Sequence, residues 1–195
     1  MSKGILNKNL LFLDLELNRS NDDSNKGQTT DIIQIGACVL EYPSLNITNT
    51  FNEYIKIRTP LDNGELRISN FIESLTGISD KIIEEKAICL DEAIEKLNNF
   101  ITDNNCFSKC YQWGSGDLKC IKEQSSTKLL LWNEFDVKAL HQTVQMAKVQ
   151  SIRSGLSKSM IKYGLNFKGK KHNALDDSIN TARIYKEILN RIKGI

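Results

Sequence analysis

Two carboxylates stand inside the most apolar stretch of the chain. The run LLFLDLELN, Leu10 to Asn18, reads as a core strand, yet it carries Asp14 and Glu16. Side chains of a strand alternate faces, so these two point the same way, and Leu11, Leu13, Leu15 and Leu17 point the other way into one core layer. Two like charges about 7 Å apart on one face are unfavourable unless a cation sits between them. A divalent metal is such a cation, and hard oxygen ligands suit Mg²⁺ or Mn²⁺. The ordinary alternative is an edge strand with a polar outer face.

Further carboxylates lie where the chain changes direction. WGSGDLKCI places Asp117 just after a strand end and at a helix start, and KKHNALDDSINTA places Asp177 in the first turn of the last helix, five residues after His172. Asp177 shares a helix face with Thr181 and Tyr185, toward the sheet. Asp176 is rotated away by about 100° and reads as a solvated cap. Taken singly, Asp117 and Asp177 could be helix caps and His172 a structural histidine. The other histidine, His141 in VKALHQTV, reads as an ordinary helix residue. Cys106, Cys110 and Cys120 lack the pair-plus-pair spacing of a zinc site and have no histidine nearby. The five cysteines are an odd number, which suits buried reduced thiols better than a disulfide framework.

The elements that must hold these residues follow from periodicity. Leu10–Leu17, Asp31–Tyr42 and Ile47–Ile57 are strand candidates, the last two joined by the short PSLN link of a hairpin. The polar stretch 18–30 must be a loop. After Pro60 come SNFIESLTGIS and SDKIIEE as short helices and Leu90–Asp103 as an amphipathic one, then the short strand Cys110–Trp113. LSKSMIKYGL is a helix closed by Gly164, and the final helix places Ala182, Tyr185, Ile188, Leu189 and Ile192 on one face. Three antiparallel strands followed by helix–strand alternation predict an α/β protein, a mixed sheet flanked by helices. The length of 195 residues favours a single domain over 1–195. A net charge of +2 says little about partners. Without a signal-like N-terminus or an apolar run of about 20 residues, the expected location is cytoplasmic, away from membranes.

Together, Asp14-x-Glu16, Asp117 and His172-x4-Asp177 resemble the three motifs of the DEDDh, or DnaQ-like, 3′–5′ exonucleases. The resemblance covers nearly the whole chain. DIIQIGACVL is similar to that group's second strand, and LTGIS to its Leu-Thr-Gly-Ile signature. WGSGDLKCI with LWNEFDVKAL, and GLSKSMIKYGLNFKGKKHNALDDSINTARIY above all, resemble the subgroup that trims the 3′ ends of structured RNA. The pattern departs at Leu17, where the family usually has a small polar residue. Asp136 in NEFDVK is a rival to Asp117, but its context resembles the segment after the second motif.

The resemblance implies an RNase H-like fold with a mixed five-stranded sheet. It implies that Asp14, Glu16, Asp117 and Asp177 hold two divalent ions, Mg²⁺ or Mn²⁺, about 3.5–4 Å apart. His172 is then the general base that takes a proton from the attacking water; an unperturbed imidazole, with a pKa near 6.5, suits that work. Its Gly/Lys-rich loop gives it room to swing in. Leu17 and Ile78 are candidates to pack on terminal bases, and Lys171, with Lys168 and Lys170, to meet phosphates. The implied substrate is single-stranded nucleic acid with a free 3′ end, RNA more than DNA, and the product nucleoside 5′-monophosphates. Two other readings stand beside this: a DNA-directed proofreading or repair exonuclease, and a non-catalytic nucleic-acid-binding module on the same fold. The absence of Gly-x-Gly-x-x-Gly after the first strand speaks against a Rossmann-type nucleotide binder.

Overall fold

A computed structural model of the chain describes residues 8–19, 31–61, 63–148 and 155–194. Most of the expected 18–30 loop lies outside the described residues. Three strands come first: β1 (Asn9–Asn18), β2 (Asp31–Leu40) and β3 (Ile47–Tyr54). Helices α1 (Asn70–Thr76), α2 (Asp80–Lys86) and α3 (Leu90–Asp103) lead to β4 (Cys106–Gln112) and α4 (Asp117–Gln124). Then follow β5 (Asn133–Asp136), α5 (Val137–Ala147), α6 (Leu156–Ile161) and α7 (Ala174–Lys193). The five strands form one sheet in the order β3-β2-β1-β4-β5. β1–β2 and β2–β3 pair antiparallel, β1–β4 and β4–β5 parallel. This is the expected α/β architecture.

β1 is therefore a central strand, and the edge-strand alternative for its carboxylates falls. Leu11, Leu13, Leu15 and the half-buried Leu17 pack against α3 and α4, through Leu90, Ala93, Ile94, Leu97, Leu118 and Ile121. Leu10 and Phe12, on the other face, meet Ala182, Tyr185 and Leu189 of α7. All ten residues of β2 are buried, which explains why its sequence, apolar but for Asp31 and Gln34, does not alternate.

Several boundaries differ from expectation. The strand predicted at Cys110–Trp113 begins at Cys106, because Cys106 and Cys110 both face the core across a period-two pattern broken by the exposed Ser108. β3 stops at Tyr54, and Ile55 continues only as an isolated bridge to Ile88. α6 ends at Ile161, ahead of Gly164, whose φ of 73° lies in the left-handed region. Ile192, expected on the buried face of α7, is 69% exposed. Cys38, Cys106 and Cys110 are free and buried, and burial pushes their thiols up to about 12, 11 and 12. No helix among the described residues is long and apolar enough to cross a membrane.

Candidate active site

Asp14 and Glu16 continue the face of β1 that Leu10 and Phe12 begin, at the point where α7 starts. Glu16 is buried and Asp14 part-buried. Across the ladder Asp14 pairs with Gly36 and Glu16 with Gln34, and the register shifts immediately after Glu16. Such irregularities re-aim side chains beside functional sites. Gly36 is needed for a close approach: a Cβ there would run into the backbone of Ala174 and Leu175, so the first turn of α7 rests directly on the bare strand.

That contact delivers Asp177. One carboxylate oxygen each from Asp14, Glu16 and Asp177 lie within 4.8 Å of one another. The Asp177 amide donates to the Asn173 carbonyl at 2.9 Å, and Asn173 caps the helix through its side chain, accepting from the Asp176 amide. Asp117 is the first residue of α4. Its turn depends on Gly116, whose φ of 116° is one that L side chains rarely adopt. Gln112, with its amide oriented by its neighbours, donates to Glu134 Oε2 at 3.3 Å and accepts from the Leu118 amide at 3.2 Å. Asp117 stands outside the tight three-residue group but close enough to act on it electrically. Asp136 Oδ1 accepts from the Ala139 amide at 2.9 Å and the Gly114 amide at 3.2 Å, so it caps α5 and braces the turn before Asp117.

The electrostatics are those of negative charges crowded without a counter-ion. Burial, then the charges of Asp117, Asp177 and Glu16, hold the Asp14 carboxyl well above the usual carboxylate range. Burial, then Asp177 and Asp117, push Glu16 up to about 8. Burial, with the nearby Glu134, lifts Asp117 to about 7. Asp177 rises to about 6 through burial, moderated by the hydrogen bond its carboxylate accepts from the His172 amide. Only oxygen donors face one another here, a set that fits a hard divalent cation, whose charge would offset the repulsion.

This arrangement has a consequence for stability. Glu16, Asp117 and Asp177 hold their protons to higher pH when folded than the ordinary values of 4.5 and 3.8 allow. Between those values and about pH 8 the folded state binds more protons, so its stability falls as pH rises. The melting temperature of metal-free protein is thus expected to drop from about pH 5 to about pH 8, and saturating Mn²⁺ to flatten or reverse the slope. A rise across that range without metal would mean that the carboxylates are not crowded.

The loop bearing His172 is held at its backbone. Asn180 on α7 accepts from the Lys168 amide at 3.1 Å and donates to its carbonyl at 2.8 Å. Asp176 Oδ2 accepts from the Lys170 amide at 2.7 Å, and Gly169 lies against the same carboxylate with no room for a Cβ. Asp176 is therefore a clamp for this loop, where a solvated cap was expected, because the loop folds back over the helix start. The Lys170 ammonium sits over Gly77, the left-handed cap of α1. His172 is exposed with φ of 58°, so any swing belongs to its side chain, with the loop backbone fixed on either side of Gly169. His141 is fully buried and hydrogen-bonded to the Tyr163 hydroxyl at 2.8 Å.

Of the expected substrate contacts, Leu17 is half-buried and Lys171 exposed. Ile78 is 2% exposed and packs with Ile33, Ile68, Ile72 and Ile83. α1 is tied to the end of β1 by Asn18, which donates to the Arg67 carbonyl at 3.0 Å and accepts from the Ser69 amide at 3.0 Å. Sequence reasoning passed over Gly36, Asn18 and the clamp of Asp176 and Asn180. Only Gly36 carried a signal, a glycine inside an apolar strand, which marks a close backbone approach.

The mixed five-stranded sheet and its flanking helices are those of the DEDDh nucleases, RNase H-like in fold. The chain belongs to the 3′-5′ exoribonuclease Rv2179c-like domain family, whose model matches residues 9–189. It is similar to 3′-5′ exoribonuclease 1 of Rattus norvegicus, 27% identical over an alignment of 168 positions that covers 82% of this chain and 47% of that protein. It is also similar to ERI1 exoribonuclease 2 of Xenopus laevis, 25% identical over an alignment of 204 positions that covers 92% of this chain and 28% of that one. The chain thus spans less than half the length of these curated relatives. Among solved structures it matches the nuclease domain of 3′hExo, a DEDDh family member bound to rAMP, with a TM-score of 0.77 at 20% identity, covering 94% of this chain and 92% of that one. DEDDh nucleases use divalent metals, and the acidic cluster fits that habit.

Proposed function

We propose that this chain, as one exonuclease domain over 1–195, is a metal-dependent 3′–5′ exonuclease that removes nucleoside 5′-monophosphates from the free 3′ end of single-stranded nucleic acid, RNA before DNA. The observation that carries the reading is the crowding of Asp14, Glu16 and Asp177, with Asp117 beside them, on rigid elements. The metals proposed are Mg²⁺ or Mn²⁺. When bound, such ions activate a water and stabilise the leaving oxygen. The four carboxylates supply the ligands. His172, one hydrogen bond from Asp177 through its backbone, takes the proton of the attacking water. Lys171 meets a phosphate, and Leu17 and Ile78 pack against the terminal bases. The family and the kind of relatives favour RNA. Five free cysteines suit a reducing compartment, and we place the protein in the cytoplasm on that ground.

The test is degradation of matched 5′-labelled RNA and DNA oligomers with Mn²⁺ and with EDTA, beside a circular RNA. A ladder shortened from the 3′ end, faster on RNA and absent with EDTA, is the expected result. Cutting of the circle would make the protein an endonuclease, and no degradation with Mn²⁺ would make it a binding module.

A further inference from the structure

Gln34 is fully buried in the middle of an apolar strand, where an amide is costly unless both of its ends are satisfied. Both are. Its Oε1 accepts from the Ala174 amide at 3.1 Å, and its Nε2 donates to Asn52 Oδ1 on β3 at 2.8 Å. Ala174 is the first residue of α7, and its N–H is one that no helical carbonyl can reach. Asn52 gives the link a direction: by accepting, it draws the nitrogen of Gln34 and leaves the oxygen for the helix. Gln34 pairs across the ladder with Glu16, and two residues on, Gly36 leaves open the space that the backbone of Ala174 and Leu175 fills.

We propose that Gln34 is a positioning residue for the metal-binding carboxylates. Oriented by Asn52, it sets how the first turn of α7 sits on the bare strand at Gly36, and so the gap between Asp177 and the Asp14–Glu16 pair. This rests on the metal-dependent reading of the site. It differs from a purely structural role in what it disturbs. A structural amide affects stability alone, whereas a positioning amide affects how well the carboxylates converge on a cation.

The experiment is calorimetric titration of the full chain with Mn²⁺, without nucleic acid, together with thermal melts. Gln34→Leu is expected to weaken Mn²⁺ binding about ten- to a hundredfold, the usual effect of losing a partner that orients metal ligands. Gly36→Ala should act in the same direction by lifting the helix. Asn52→Ala, at an exposed position that folding tolerates, should weaken binding by a smaller factor. Gln145→Leu, a buried glutamine on α5, serves as control: it should leave Mn²⁺ affinity unchanged. If Gln34→Leu and Asn52→Ala both bind Mn²⁺ within about twofold of wild type, Gln34 is a structural amide and the proposal is wrong. Should Gln34→Leu fail to fold, Asn52→Ala decides alone. If wild type itself binds no Mn²⁺, or Asp14→Asn binds it equally well, the metal reading has failed, a result distinct from the first.

Discussion

Changing Asp14 to asparagine is expected to lower turnover by more than about a hundredfold while leaving metal-free protein at least as stable as wild type. Substitutions that merely touch a ligand's supporting partners cost about ten- to a hundredfold, and Asp14 is proposed as a ligand itself. The stability half of the expectation comes from the apo site. The Asp14 carboxylate is desolvated and faces Asp117, Asp177 and Glu16. An isosteric amide removes one charge from that group, so repulsion in the folded state declines. Turnover at saturating Mn²⁺ and a melt in EDTA measure the two halves on one sample. Substantial activity in the variant would take Asp14 out of the site.

His172→Ala separates chemistry from scaffold. As a proton acceptor, His172 should be worth about 10²–10⁴-fold in turnover, the range for a lost general base. Mn²⁺ affinity and KM should change little, because ligands and phosphate contacts remain. The wild-type rate should fall on the acid side, and the variant should lose that limb when metal is kept saturating. The structure gives reason to expect an intact fold: the loop is fastened at Lys168 and Lys170 by Asn180 and Asp176, and the exposed imidazole does not hold it in place. Near-normal turnover with a lowered melting temperature would make His172 a structural residue.

What could be read in the sequence was what local pattern encodes. The alternation that put Leu11, Leu13 and Leu15 on one face and Asp14 and Glu16 on the other is a property of any strand, and it survives folding. The capping chemistry around Asp177 was equally local. β5 was not legible. It has four residues, only two of them part-buried, and its existence depends on β4 lying beside it. The clamp of Asp176 was missed for a similar reason. Helical rotation places it away from the sheet, but nothing local says that residues 168–170 fold back over that face. Gln34 and Gly36 interrupt an apolar strand, and only the helix that lands on them gives them a purpose.

The four carboxylates come from three distant parts of the chain: β1 near one end, the start of α4, and the start of α7. During synthesis, the strand with Asp14 and Glu16 and the turn with Asp117 leave the ribosome well before Asp177 exists. Until α7 has been made and has settled onto Gly36, the site lacks one of its four carboxylates and the loop of His172 has no helix to fasten it. On the proposed reading, a half-folded copy without α7 in place is therefore expected to lack the metal-dependent activity.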